Sequence, residues 1–248
     1  NGTDWSNISG ATAVDYTTAT LVIGDNAKQY RMGATNSKNG TTTTAYSSAA
    51  TLTVTRTTLG TPVAPTGSAT TGSATSINVS LTGVANASSY TARIYLASDT
   101  STALQTITSF TSGSAITALT AGTAYVVSIT AIGDDVTYSD SSASALSSSI
   151  TTNAAAATPT VSAPTSASKN VGATHRFSSS ATVGDAGALS YQWQVSTNGT
   201  DWSNISGATA VDYTTATLVI GDNGKQYRMG ATNSKNGTTT TAYSSAAI

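Results

Sequence analysis

Residues 1–50 recur at 198–247 with a single change, Ala27 against Gly224, which is 49 identities in 50 at an offset of 197. Packing constrains core positions and leaves exposed Thr, Ser and Asn free to drift. Identity at every surface position therefore marks a recent duplication or the continuing homogenisation of an array. The expectation is a fold whose units follow one another in series, and a chain that is a slice of something longer.

The two copies differ in what precedes them. Ahead of the second runs ATPTVSAPTSASKNVGATHRFSSSATVGDAGALSYQWQVST, roughly forty residues that read as three strands, while nothing equivalent precedes Asn1. The first copy is then about half a domain, with one side of its core and its sheet edges open. It is expected to need completion, by polypeptide continuing upstream or by another molecule. A different unit lies between the copies, from about Thr61 to Thr152. Its opening TPVAPTG carries Pro62 and Pro65, suited to a linker or an edge strand, and its close SITTNAAAATPT stops before Pro159. Boundaries near Arg56 and Ala156 give three parts: 1–55, the C-terminal part of a repeat; 56–156, a middle domain; and 157–248, a further repeat. Ala154 to Ala157 reads as a short linker, because a helical turn there would run into Pro159.

All eleven acidic residues are Asp, none is Glu, and only 8% of the chain is charged. A polar surface of Thr, Ser, Asn and Gly disfavours helices and favours strands and turns. Low charge with 38% hydrophobic residues lacks the high net charge of a disordered chain. In the middle unit Ile77, Val79 and Leu81 alternate with Asn78 and Ser80. Tyr90, Ala92, Ile94 and Leu96 alternate with Arg93 and Tyr95, and Tyr125, Val127, Ile129 and Ala131 follow Ile116 and Leu119. Period two means half-buried strands, and strands at this spacing predict an all-β chain of antiparallel sandwiches.

Two resemblances extend this reading. At LTAGTAYVVSITAIG the middle unit resembles fibronectin type III domains, in which a Leu and a turn precede a Tyr at the start of the sixth strand; Leu119 and Tyr125 match. The resemblance implies a tyrosine corner at Tyr125, its hydroxyl bonded to backbone upstream. The Trp usual in the second strand is absent, with Ile77 or Val79 in its region. The last unit resembles bacterial immunoglobulin-like repeats through YQWQVSTNGTDWSNISGAT followed by DNGKQYRMGATN. This implies that Trp193 packs under both sheets with Tyr191 and Val195 on its face. It also implies that Met229, two residues after Tyr227, stands where disulfide-bonded members carry Cys. Phe177 falls at the partner position, so a Phe177, Trp193 and Met229 cluster replaces the disulfide by apolar packing. Asp25, Tyr30 and Met32 repeat the pattern in the first copy.

Candidates for chemistry are few. With no Cys and one His, His175, the chain has no zinc-finger, iron–sulfur or disulfide framework. No nucleophile motif surrounds His175, which reads as an exposed strand residue, and paired carboxylates on a cleft are lacking, so no catalytic residue is expected. Asp134, Asp135 and Asp140 in GDDVTYSDS are weak candidates for calcium, without EF-hand spacing, and the only cofactor considered. Asp25 and Asp222 read as caps of the turn before the Tyr strand. Trp5 and Trp202 follow Asn-Gly turn signals, and are candidates for ligand contact by stacking on a sugar or for covering an open end of the core. Several sequons occur, including those at Asn1, Asn39, Asn78, Asn86, Asn204 and Asn236.

A net charge of -1 gives no electrostatic case for nucleic acid, and no run of about 18 apolar residues predicts membrane insertion, nor is a signal peptide read. The function expected is that of a non-catalytic structural segment of an extracellular bacterial surface or filament protein, working as a stalk or scaffold. Its partners would be neighbouring repeats or other copies of itself. Two alternatives stand beside it: an adhesin module binding a glycan or a host surface protein, and a spacer in a secreted polysaccharide-degrading enzyme. A strand of ten residues spans about 33 Å, so a two-domain period would reach about 70 Å.

Overall fold

The computed structural model describes residues 3–248; Asn1 and Gly2, with the sequon at Asn1, lie outside the described residues. In the first copy β1 (Gln29–Tyr30) pairs with β4 (Ala50–Thr51), and β2 (Gly33–Lys38) with β3 (Thr41–Tyr46). The middle unit holds β5 (Thr57–Thr58), β6 (Thr66–Ala69), β7 (Ile77–Ser80), β8 (Ser89–Leu96), β9 (Gln105–Ile107), β10 (Ala115–Ile116), β11 (Ala124–Ile132), β12 (Tyr138–Ser139) and β13 (Ile150–Thr151). The last unit holds β14 (Thr160–Val161), β15 (Arg176–Ser178), β16 (Ala181–Thr182), β17 (Ala188–Ser196), β18 (Ser203–Asn204), β19 (Asp212–Thr214), β20 (Gln226–Lys235) and β21 (Thr238–Tyr243).

Two sheets make the middle sandwich, β10-β7-β6 facing β13-β11-β8-β9. This order is that of a fibronectin type III-like β-sandwich. The alternating residues meet between the sheets: Ile77, Val79, Ala92, Ile94, Val127 and Ile129 are all fully buried. Each of the Ile and Val side chains among them contributes about 1.5–3 kcal/mol by leaving water. Tyr125 accepts a hydrogen bond on its hydroxyl from the Thr120 N–H at 2.9 Å, closing the corner over Leu119. Pairing departs from the antiparallel expectation at one place, where β5 runs parallel to β12.

The stretch before β13 has no regular strand, yet it follows β11 closely. Ser141, Ser144 and Ser147 donate their N–H groups to the carbonyls of Ala131, Ile129 and Val127 at 2.9, 2.8 and 2.8 Å. Their hydroxyls accept the N–H groups of the same three residues at 2.9, 3.0 and 3.0 Å. A serine at every third position thus supplies both halves of a ladder rung, and the residues between loop outward. The edge of β11, otherwise a row of open backbone groups, is covered without a continuous strand.

The last unit is a second sandwich. Its main sheet, β18-β17-β20-β21, packs over the pairs β14-β16 and β15-β19. The strands ahead of the second copy are therefore four, three of them only two or three residues long. Trp193 and Met229 are fully buried and stand opposite each other in register on β17 and β20. Phe177 stacks on Tyr227 with ring centroids 4.7 Å apart and lies 6.0 Å from Trp193. The Trp193 indole donates to the Ala210 carbonyl at 3.0 Å, so its one polar group is satisfied.

In the first copy the same sequence packs differently. No residue from Thr3 to Thr58 is buried, and Met32 is 52% exposed where Met229 is 0%. The long strand of the second copy, β20, corresponds to two shorter pieces, β1 and β2, interrupted at Arg31 and Met32. Pairing explains the break, because β20 is held along its length by β17 and residues 29–38 have no such neighbour. At the positions of Tyr227 and Met229, Tyr30 is half-buried, its ring centroid 6.1 Å from that of Tyr16, and Met32 is exposed.

Candidate functional site

The densest polar constellation lies where the middle and last sandwiches meet. Asn236 and Gly237 form the tip of the β20–β21 hairpin, both with positive φ, 49° and 71°, as a two-residue turn matched to strand twist requires. This tip touches the loop between β6 and β7: the Ala74 N–H donates to the Asn236 carbonyl at 2.8 Å. The Asn236 side chain donates to the Ala154 carbonyl at 2.9 Å. From the other side, the Asn153 side chain donates to the carbonyls of Thr70 and Ser73 at 2.8 and 2.9 Å.

The alanine linker is bound along its length. Ala156 donates to the Thr238 hydroxyl at 2.7 Å and accepts from the Thr240 hydroxyl at 2.9 Å. Ala157 donates to Asp185 Oδ2 at 2.8 Å and accepts from the Asn233 side chain at 2.9 Å. Asn233 is fully buried and also donates to both Asp185 oxygens at 3.1 Å. The Lys235 ammonium donates to the Asp185 carbonyl. Gly187 lies against the Asn233 carboxamide, and a Cβ built there would stand 2.0 Å from Asn233 Oδ1. The Asp185 carboxyl is held below the usual carboxylate range, first by the Ala157 N–H, then by Gly187, Asn233 and Lys235, against a counteracting desolvation. Such an arrangement fixes a linker that its composition alone would leave free.

The residues singled out by sequence are dispersed. Asp134 accepts three backbone N–H groups, from Val136, Thr137 and Tyr138, at 2.9, 2.7 and 2.8 Å, which lower its pKa to about 2. Asp140 accepts from the Gly133 N–H, and Asp135 faces Arg56 at 3.9 Å. Asp134 and Asp140 thus serve their own loop, and no cluster of metal-ligating side chains occurs among the described residues. Asp25 and Asp222 cap their turns through the N–H groups of Val22 and Val219 at 2.9 and 2.8 Å.

Trp202 covers no open end of the core. It lies on the outer face of the main sheet, stacked on the Arg228 guanidinium at 4.1 Å, and Tyr243 stacks on the same guanidinium at 4.1 Å. Gln194 completes the ladder, accepting from Arg228 Nε at 2.8 Å. Trp5, Arg31 and Tyr46 reproduce it in the first copy, at 4.1 and 4.0 Å. His175 packs edge-on against Phe177, centroids 4.5 Å apart, at the rim of a depression of about 470 Å³ bounded by Asp222, Lys225 and Ile248. Asp222 there is already paired with Lys225 at 2.6 Å.

Sequence reasoning missed the junction and the serine ladder. The signals were present as Ser141-x-x-Ser144-x-x-Ser147 and as the polar residues Asn233, Lys235 and Asn236 on one hairpin.

The family model "Domain of unknown function (DUF8696)" matches residues 147–248, less than half of the chain. That stretch takes in β13, the linker and the last sandwich. Comparison with curated proteins finds no match. Among solved structures, the chicken CNTN1 FN1–FN3 domains are similar at 13% identity over 89% of this chain and 74% of that one, with a TM-score of 0.33. An overlay that loose fixes no fold; the strand order of the middle sandwich does. No helix among the described residues is long and apolar enough to cross a membrane.

Proposed function

We propose that this chain is a non-catalytic structural segment of an extracellular bacterial surface or filament protein, in which the two kinds of sandwich alternate as a stalk or scaffold. The observation that carries this reading is the junction. A linker hydrogen-bonded to the flanking domains at Asn153, Ala154, Ala156 and Ala157 transmits position from one sandwich to the next, and the hairpin that binds its last three, Asn233 to Thr240, recurs unchanged as Asn36 to Thr43. Among the described residues Asp185 is the one carboxylate at the junction, and its partners there are backbone N–H groups, the Asn233 carboxamide and Lys235.

The test is made on the native source. Surface labelling of intact cells, followed by the denatured mass of the polypeptide recognised by an antibody to residues 157–248, is expected to give an accessible chain several times 24.7 kDa. A chain protected inside the cell would overturn the reading.

A second reading, an adhesin module, is favoured by the Trp202, Arg228 and Tyr243 ladder, which presents flat polar-aromatic surface on a sheet face. It requires saturable binding to a glycan or a surface protein that Trp202→Ala removes without unfolding the domain.

A further inference from the structure

An edge strand presents a row of backbone N–H and C=O groups that pair with any strand able to reach them. The main sheet of the last sandwich ends on β21, six residues with the sequence TTTTAY. Its two-residue turn makes Lys235 and Thr238 a hydrogen-bonded pair, and alternation from there points the backbone groups of Thr239, Thr241 and Tyr243 away from β20. The register is continuous, so no bulge twists the edge aside, and the strand holds no charge and no proline. Elsewhere the edges are blunted. In the two sandwiches β6, β9, β10, β13 and β18 have four residues or fewer, and the flank of β11 ahead of β13 is covered by the serine ladder.

Neither neighbouring unit covers this edge. β21 has the middle sandwich ahead of it, and β3, the same sequence in the first copy, has that sandwich behind it. Among the described residues β21 pairs with β20 alone and β3 with β2 alone. Past β3 the chain stays on the side of β1, where the Leu52 N–H donates to the Lys28 carbonyl at 2.8 Å and the Val54 N–H to Asn26 Oδ1 at 2.9 Å.

We propose that the outer edge of this strand is a self-association surface, and that its occupant is the same strand of a second copy of the chain, antiparallel about a two-fold axis at Thr241. Thr241 then exchanges backbone bonds with its own equivalent, and Thr239 with Tyr243 in both directions. Chemistry favours this occupant over a foreign strand. Uncharged edges meet without like-charge repulsion, and Tyr243 falls opposite Thr239, an aromatic beside a β-branched residue. The Tyr243 ring is already held on the outer face by the Arg228 guanidinium at 4.1 Å. A single pairing of this size is weak, but the strand recurs at an offset of 197 residues, so antiparallel neighbours in an array engage at one period after another. The inference rests on the scaffold reading and supplies its contact between chains.

The test is sedimentation velocity of the full chain from about 1 μM to about 1 mM, the range in which so small an interface saturates. The mass is expected to rise from 24.7 kDa to at least twice that value. Amide exchange at Thr239, Thr241 and Tyr243, and at Thr42, Thr44 and Tyr46, is expected to slow with concentration, while Thr240 and Thr43, bonded to β20 and β2, stay unchanged. The double variant Thr44→Lys/Thr241→Lys is expected to remain a monomer, as is Thr44→Asp/Thr241→Asp, because the two-fold sets like charges side by side. An equimolar mixture of the two is expected to associate, which also shows that both fold. A parent that stays monomeric, association without slowed exchange on these strands, variants that associate alone as the parent does, or a mixture that stays monomeric would each overturn the proposal. Association of a chain found inside the cell would overturn the surface reading and leave this contact standing; a surface-exposed chain that stays monomeric would do the reverse.

Discussion

Met229 lies opposite Trp193 in the register of β17 and β20, with no exposed surface on either side chain. Its equivalent in the first copy, Met32, has the same neighbours in sequence and is half exposed. Identical local sequence therefore leaves the burial of this methionine open, and a segment distant in the chain settles it. Substitution should report that difference. Met229→Ala is expected to lower the unfolding free energy of the last sandwich by roughly 2–5 kcal/mol, and Met32→Ala to change it by less than about 0.5 kcal/mol, in urea titrations followed by tryptophan fluorescence.

The serine ladder gives a sharper contrast within three residues. Ser144→Ala removes the hydroxyl that accepts the buried Ile129 N–H and is expected to destabilise the middle sandwich by roughly 1–3 kcal/mol. Ser142→Ala, at an exposed position between rungs, is expected to fall within about 0.5 kcal/mol of the parent in the same thermal unfolding measurement.

Tyr125→Phe tests the corner. Removing the hydroxyl leaves the Thr120 N–H without its acceptor, with an expected loss of about 1–2 kcal/mol and little change in the core, since the ring stays in place. Equilibrium unfolding together with the Thr120 amide shift would check both parts.

Acid should act at the carboxylates that hold backbone N–H groups. Asp134 has its pKa lowered to about 2 by the N–H groups of Tyr138, Val136 and Thr137. A depressed carboxylate contributes stability that is present above the unfolded value near 3.9 and is lost as pH falls through the folded value. The amide shifts of Val136, Thr137 and Tyr138 are thus expected to hold steady down to about pH 3 and to move together with a midpoint near 2. Asp134→Asn should abolish that common transition.

Much of the fold was legible because it rests on local signals. Alternation in Ile77 to Leu81 and Tyr90 to Leu96 marked strands, and Leu119 and Tyr125 marked the corner. The serine rungs escaped because a three-residue period belongs to neither helix nor strand, and their bonds are made with β11, well separated in sequence. The junction escaped for a similar reason: Asn233, Asp185 and Ala157 lie apart in the chain, and only folding brings a buried carboxamide to a linker that reads as plain alanine. Of the calcium candidates, Asp134 and Asp140 accept backbone N–H groups of their own loop, while Asp135 faces Arg56, a residue far away in sequence.

The bound linker also has a geometric consequence. A joint with no slack reproduces one rotation and one translation each time it occurs, and repetition of a fixed screw operation generates a helix. In an array of these units the pitch and handedness of the whole path would depend on the few bonds around Asn236 and Asp185 together with the joint that leads into β5. A change of a few degrees there, too small to alter either sandwich, would accumulate along the array into a different overall shape.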